Sequence, residues 1–149
     1  MINDPNALLL RAAQPADEAA IARLFVQLGY PAAAQGLVAR LQGHTTADHT
    51  LLAELNHEVV GVVVWHCVQP LHVADSWAVI SACVVDEHIR GAGIGAALLR
   101  GVETIARQAG CGHMELSSSV KRLDAHRFYL AQGYQERPKR FVKTITANQ

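Results

Sequence analysis

Three glycines at alternate positions, Gly91, Gly93 and Gly95, follow a strand-like apolar run and lead directly into a helical pattern. Glycine lets a ligand come close to the backbone, because no Cβ stands in the way. The start of a helix leaves about four N–H donors without partners and carries a partial positive charge. Residues 90–96 therefore have the chemistry of an anion site suited to phosphate, with Arg90 as a cation at its edge. The alternative is a glycine-rich turn that only starts a helix.

Two regular elements must position this turn. Residues 77–85 are apolar and rich in β-branched side chains, which predicts a strand that ends at the turn. After the turn, apolar residues recur at the three- and four-residue spacings of one helix face, at Ile94, Leu98, Val102, Ile105 and Ala109. The predicted order is therefore strand, glycine-rich turn, helix.

The pattern Arg90-x-x-Gly93-x-Gly95, after a strand ending in Val-Val-Asp, resembles the acyl-CoA signature of the GNAT superfamily of N-acyltransferases. Residues 124–134 resemble the later helix of that superfamily, which often reads Ala-x-x-Phe-Tyr-x-x-x-Gly-Phe/Tyr. Residues 11–28 are similar to its opening strand and helix, so the resemblance covers nearly the whole chain. It implies an acetyl-CoA-dependent N-acetyltransferase, in which a primary amine attacks the thioester directly.

The resemblance also implies where acetyl-CoA, the co-substrate, is held. Its pyrophosphate would lie on backbone N–H groups of the turn, those of Arg90, Gly91, Ala92, Gly93, Ile94, Gly95 and Ala96. Its pantetheine arm would pair, as another strand would, with the backbone of Cys83, Val84 and Val85. One N–H near Val84 or Val85 would then face the thioester oxygen and stabilise the oxyanion.

Tyr129 matches the family's tyrosine near the cofactor sulfur. Attack by an amine on a thioester expels a thiolate, and a phenol with a pKa of about 10 can donate a proton to it. The resemblance therefore implies that Tyr129 is the general acid. The alternative is a half-buried aromatic residue that packs its helix on the sheet.

The base that deprotonates the amine departs from the family pattern. Many members carry a glutamate on the fourth strand, a few residues before the Val-Val-Asp, and Ser81 stands there in this chain. We predict Glu115 as the replacement, because it lies in the otherwise uncharged run 114–117 on the strand beside the expected cleft. A carboxylate with apolar neighbours holds a proton more readily and is a better base. A solvent-facing strand residue, or an anchor for the substrate amine, is the alternative.

Composition bounds the remaining possibilities. With 149 residues, of which 50% are hydrophobic and 17% charged, the chain is expected to form one domain over residues 1–149. Thirteen basic residues balance thirteen acidic ones, so neither nucleic acid nor an anionic membrane is expected as a partner. No membrane span and no signal peptide are expected. Three cysteines fit a reducing, cytoplasmic location.

The eight histidines are scattered, without His-Glu-x-x-His or Cys-x-x-Cys spacing, so no metal site is predicted. His72 and His113, together with Asp75, are candidates for lining the acceptor pocket. That pocket is expected between residues 28–41, the loop 69–76 and the segment after Gly133. A small-molecule amine and a peptide amine both fit, and a homodimer is possible because dimers are common in the family.

Periodicity and turn residues predict the order β-α-α-β-β-β-α-β-α-β, a mixed α+β fold in a single domain. Strands are expected at residues 8–12, 50–55, 59–67, 77–85, 113–118 and 141–145. Helices are expected to begin near Pro15, Leu37, Gly93 and Asp124, where Asp124 would be an N-cap beside a Leu123–Phe128 hydrophobic staple. The resemblance implies a central mixed sheet, splayed between its fourth and fifth strands.

Two other functions are alternatives. Gly91-x-Gly93-x-x-Ala96 satisfies a loose dinucleotide-binding pattern, G-x-G-x-x-G/A. Against this, residues 86–90 separate the strand from the first glycine, and Glu115 falls inside the next strand instead of ending it. The second alternative is a non-catalytic domain that binds acyl-CoA as a sensor or scaffold. Release of CoA thiol in the presence of an amine would separate this domain from an enzyme.

Overall fold

The structure is a computed structural model that describes residues 7–31, 35–42, 49–89, 91–118, 122–137 and 140–145. The chain divides into two compact units, Met1–Ser117 and Ser118–Gln149. None of the described helices is long and apolar enough to cross a membrane.

In its described ranges, the first unit carries the sheet and three α-helices. Its described elements are β1 (Leu9–Ala12), α1 (Glu18–Leu28), α2 (Leu37–Gln42), β2 (Thr50–Leu55), β3 (Glu58–Val68), β4 (Ser76–Val85), α3 (Ile94–Gln108) and β5 (Cys111–Leu116). Single 3-10 turns lie at Pro15–Asp17 and Glu87–Ile89. The described part of the second unit contains one helix, α4 (Leu123–Ala131). The predicted order is confirmed from the first strand to this helix.

The five strands form one sheet in the order β1-β2-β3-β4-β5. Neighbours from β1 to β4 are antiparallel, whereas β4 and β5 are parallel. Parallel neighbours need a crossover connection, which α3 supplies. The pairing of β5 with β4 ends at Ile80 and Leu116, so β4 continues for five residues beyond the end of its neighbour. No described strand pairs with this end of β4 on that side, which is where the family resemblance implies a splay.

Helices cover both faces of the sheet. On one face, α1 and α2 pack on a buried cluster of Ala13, Ile21, Leu24, Leu37, Leu41, Leu52, Val59, Val62 and Val84. On the other face, α3 lies so close that a Cβ on Gly101 would be 2.8 Å from Leu51 Cδ2, and one on Gly61 would be 2.9 Å from Leu98 Cδ1. Successive strand residues point to opposite faces, so Leu51 packs against α3 and Leu52 packs in the cluster under α1 and α2. Burial on both faces explains why β2 and β3 are apolar almost throughout.

The predicted closing strand at residues 141–145 was wrong. Residues 140–145 form neither strand nor helix, and the side chains of Phe141 and Ile145 are 89% and 90% exposed. Alternation of apolar and polar residues fits a strand only where a neighbouring strand supplies hydrogen bonds and a face to pack on. The sequence pattern carries no information about that neighbour.

Several predicted boundaries also differ from the structure, and two of the differences have a physical reason. β5 begins at Cys111, two residues before the prediction, because Gly112 continues the strand and packs against the Asp75 side chain, where a Cβ would be 2.7 Å from Oδ2. In the second unit Arg122, and not Asp124, is the N-cap of α4. Asp124 lies in the first turn of α4 and forms an ion pair with Arg127. Its negative charge there interacts favourably with the positive end of the helix dipole. Leu123 is the first helical residue and does not precede the N-cap, so the predicted Leu123–Phe128 staple was wrong.

Candidate active site

The glycine turn has the geometry that a bound anion requires. Gly91 and Gly93 have φ of +92° and +77°, in the left-handed region that favours glycine. The first hydrogen bond of α3 joins the Ala97 N–H to the Gly93 carbonyl at 3.1 Å. The three amides of residues 94–96 therefore have no acceptor within the helix. A Cβ on either glycine would meet no atom of the described residues within 4 Å, so nothing in those ranges crowds the backbone there.

The glycine turn is held against the sheet by the residue that follows it, Ile94. Ile94 is 3% exposed, and a Cβ on Gly61 of β3 would lie 3.3 Å from its Cγ2. Gly91, Ala92 and Gly93 are exposed, whereas Gly95 and Ala96, after the buried Ile94, are half-buried. Arg90, predicted as the cation of this site, lies outside the described residues.

Side chains of α1 hold the connection between β4 and the turn. The Asp86 carboxylate is about one-tenth exposed, and it accepts hydrogen bonds from Arg23 Nη1 at 2.7 Å and the His88 N–H at 3.1 Å. Arg23 Nη2 also donates to the Val59 carbonyl at 3.0 Å, and the Glu87 N–H donates to Gln27 Oε1 at 2.9 Å. The His88 amide and then the Arg23 guanidinium lower the pKa of Asp86. Sequence reasoning missed these contacts of α1, because Arg23 and Asp86 are 63 positions apart and Gln27 and Glu87 are 60 positions apart.

Replacing Asp86 by asparagine should lower the free energy of unfolding by about 1–3 kcal/mol at pH 7, because it weakens charge-assisted hydrogen bonds. The pKa of Asp86 is lower in the folded than in the unfolded chain. Its contribution to stability is therefore present above the unfolded value of about 3.9, and it is lost as the pH falls through the lowered folded value. Urea denaturation of both proteins from pH 7 to about pH 3 should show the difference shrinking.

Glu103→Gln is the control, since Glu103 forms only an exposed pair with Arg107 on α3, at 2.8 Å. Its loss should cost no more than about 0.5 kcal/mol. A difference between Asp86→Asn and wild type that stays constant across this pH range would contradict the role of the Asp86 charge.

The end of β4 offers an open backbone edge beside the turn. On one side, Val84 and Val85 pair with Val62 and Gly61 of β3. On the other side, the pairing of β4 with β5 ends at Ile80. No strand in the described ranges pairs with Val84 or Val85 on that side. Cys83, Val84 and Val85 thus lie on the strand that runs into residues 91–96, as the sequence predicts. Such an edge can hydrogen-bond a peptide-like group.

Ser81 occupies a bulge of β4. Val64 of β3 pairs with Ala82 and the next residue, Trp65, pairs with Ile80, so Ser81 is the extra residue. Its hydroxyl lies 2.8 Å from His66 Nε2 on β3. Sequence reasoning assigned no role to His66, and the bulge that brings it to Ser81 has no signal in the sequence pattern.

Beside Ser81 lies a cavity of about 570 Å³, lined by Phe25, Leu28, Gly29, Tyr30, Pro31, Ser81 and Ala82. The last turn of α1 forms one wall. Gly29, with φ of +109°, ends the helix, and the Tyr30 N–H donates to the Phe25 carbonyl at 2.9 Å. The lining is mostly apolar, and Ser81 and Tyr30 contribute its hydroxyl groups. Part of this wall belongs to the region 28–41 that was expected to border the acceptor.

The apolar surroundings predicted for Glu115 were wrong. Its side chain is 51% exposed, and Oε2 lies 3.5 Å from His113 Nε2. The His113 ring packs against Trp77, with centroids 4.7 Å apart. None of His72, Asp75, His113 and Glu115 lines the cavity beside Ser81. The role of Glu115 as base therefore remains a prediction from sequence.

Tyr129 lies on α4, in the second unit, and is half-buried. Its ring contacts those of Phe128 and Tyr134, with centroids 5.4 and 5.9 Å away. The Tyr134 N–H donates to the Tyr129 carbonyl at 3.1 Å, just after Gly133 with φ of +94°. These contacts fix the ring while the phenol provides a proton-donating group. Across the described residues, no three His, Cys, Asp or Glu side chains are grouped so as to hold a metal ion.

Comparisons with known proteins agree with this geometry. The sequence model of the acetyltransferase (GNAT) family matches residues 11–134. Aminoalkylphosphonate N-acetyltransferase from Salmonella typhimurium is 42% identical over 119 residues, which are 80% of this chain and 76% of that protein.

Two solved structures show the same fold at low sequence identity. An aminoglycoside acetyltransferase from an uncultured soil metagenomic sample, in complex with sisomicin, has a TM-score of 0.77 and 17% identity, over 93% of this chain and 97% of its own. Aminoglycoside N-acetyltransferase AAC(6')-Iy in complex with CoA has a TM-score of 0.79 and 15% identity, over 99% of each chain. With the family match over most of its length, the chain belongs to the GNAT family of acetyltransferases and is an N-acetyltransferase.

Proposed function

We propose that this N-acetyltransferase takes its acyl group from acetyl-CoA and transfers it to the primary amine of a small molecule. The observation that carries the proposal is that the open edge of β4 is followed along the chain by the glycine turn at the start of α3. Acetyl-CoA has an extended arm that suits the strand edge and a diphosphate that suits the turn. The family and a structural relative that contains CoA support the same donor.

The turn suits the diphosphate for two reasons. Three amides at residues 94–96 and the positive end of the α3 dipole favour a negative charge there. The absence of a Cβ at Gly91 and Gly93 leaves room for phosphate oxygens to approach the backbone. The pantetheine amides would pair with the edge at Val84 and Val85, which would bring one backbone N–H to the thioester oxygen.

The proposed reaction is direct transfer. The neutral amine attacks the thioester carbonyl, the C–N bond forms, the C–S bond breaks and CoA leaves as a thiolate. The thiolate then needs a proton, and we assign its donation to Tyr129 on the strength of the family motif on α4. For the base, sequence reasoning proposes Glu115, whose half-exposed carboxylate also suits an anchor for the substrate ammonium.

The proposed acceptor is a short aminoalkyl compound. A cavity of about 570 Å³ is in the range of small-molecule sites, and its apolar lining suits an alkyl chain. The relative with 42% identity is an aminoalkylphosphonate N-acetyltransferase, which makes aminoalkylphosphonates the first class to test.

A thiol-release assay with acetyl-CoA tests this function. The matched acceptors are (1-aminoethyl)phosphonate, its carboxylate counterpart alanine, and ethylamine, which has no acidic group. We expect the highest kcat/KM for the phosphonate, and a sequential kinetic pattern because no acyl-enzyme forms. Equal values for the three would leave an alkylamine acetyltransferase without phosphonate preference. Thiol release no faster with any amine than without one would support the non-catalytic acyl-CoA-binding alternative.

A further inference from the structure

The hydrogen bond between His66 and Ser81 joins a residue that lines the cavity to a histidine on the neighbouring strand. We propose that Ser81 and His66 form the proton relay that activates the acceptor amine. Ser81 touches the amine and His66 receives the proton through the Ser81 hydroxyl. This inference rests on the proposed function, because it supplies the base for that reaction.

The bulge explains why the two side chains meet. Without the bulge Ser81 would lie opposite Trp65, and His66 would then point to the other face of the sheet. With Ser81 as the extra residue, Trp65 pairs with Ile80 and His66 pairs with Val79. The extra residue at Ser81 bends β4 locally, and its Oγ reaches the His66 ring at 2.8 Å. Because Ser81 also lines the cavity, the residue that bonds the His66 ring borders the space proposed for the acceptor.

The chemistry requires both members. A serine hydroxyl alone is too weak a base to take a proton from an ammonium group, whereas a neutral imidazole is suited to accept one near neutral pH. With the ring proton on Nδ1, Nε2 accepts the Ser81 O–H. The described lining of the cavity contains no carboxylate and no imidazole. A proton that leaves the acceptor amine can therefore pass from the cavity through Ser81 to His66.

The proton balance is complete. The substrate ammonium gives one proton to Ser81 Oγ, while the Ser81 hydroxyl passes its own to His66 Nε2. The products are a neutral amine, an unchanged hydroxyl and an imidazolium. The amine then forms its C–N bond, the thiolate leaves, and the nitrogen loses a second proton, which balances the proton that the thiolate takes up. The imidazolium returns its proton to solvent, so each turnover releases one proton.

His66→Ala and Ser81→Ala test the relay by the same thiol-release assay, with the best acceptor of the panel. We expect kcat to fall at least about tenfold in each variant, while KM for acetyl-CoA changes less than about twofold. Added imidazole should restore part of the activity of His66→Ala, because His66 is exposed and solvent can deliver a free ring. Imidazole should not restore the activity of Ser81→Ala. The kcat of the double variant should be no lower than that of the less active single variant.

His57→Asn is the matched control, since His57 is an exposed histidine in the turn between β2 and β3, with φ of +64°, which asparagine tolerates. Its kcat should equal that of wild type. Wild-type kcat in His66→Ala, or a loss in Glu115→Gln alone, would overturn the relay. So would an acetyl adduct on Ser81 after incubation with acetyl-CoA, because Ser81 would then be a nucleophile. Absence of thiol release by wild type with every amine would instead refute the proposed function, and the relay with it.

Discussion

Gly93→Val should abolish CoA binding. Gly93 has φ of +77° at the N-cap of α3, and a β-branched residue there is a severe conformational outlier that costs about 1–2 kcal/mol. The backbone would relax to a negative φ and turn the following amides away from the ligand. Loss of two charge-assisted hydrogen bonds, at about 1.5–3 kcal/mol each, weakens binding at least about 100-fold. Isothermal titration calorimetry with CoA measures the loss.

Gly110→Val separates loss of binding from loss of stability. Gly110 has φ of +88° just after the same helix, and a Cβ there would also meet nothing within 4 Å. The valine should therefore cause similar backbone strain while CoA affinity stays at the wild-type value. Tight CoA binding by Gly93→Val would show that the turn does not hold the diphosphate.

The parts of the fold that local chemistry determines could be predicted from the sequence. Thr50–Leu55 was predicted to the residue, because the strand stops where Asn56 and His57 adopt positive φ in a turn. α3 differs by one residue at each end, since a regular apolar spacing lies between two glycines. The prediction of a strand at residues 141–145 was wrong, because strand formation depends on a partner strand that the local sequence does not reveal.

The same distinction applies to the candidate site. The glycine turn could be found because its function depends on backbone geometry, which glycine makes visible in the sequence. The surroundings of Glu115 could not, because its sequence neighbours Met114 and Leu116 point to the opposite face of β5 and are half-buried. Neighbouring strands decide what a strand side chain contacts, so the pair of His66 and Ser81 required the register of β3 and β4.

Tyr129→Phe should lower kcat about 100-fold and leave the affinity for CoA nearly unchanged. The substitution removes a hydroxyl and keeps the ring, so the contacts with Phe128 and Tyr134 within the second unit should persist. The removed hydroxyl is the group that we assign to proton donation to the leaving thiolate. Steady-state thiol release measures kcat, and calorimetry with CoA measures the affinity.

Tyr134→Phe is the matched control, because it removes a hydroxyl from the same aromatic group at a position where the family motif takes either Phe or Tyr. Its kcat should stay within about twofold of wild type, since no role in proton transfer is assigned to it. The acid role of Tyr129 stands only if its variant is far slower than this control while both bind CoA equally. Equal turnover in the two variants would mean that the thiolate takes its proton from water, and that Tyr129 serves α4 only as a packing residue.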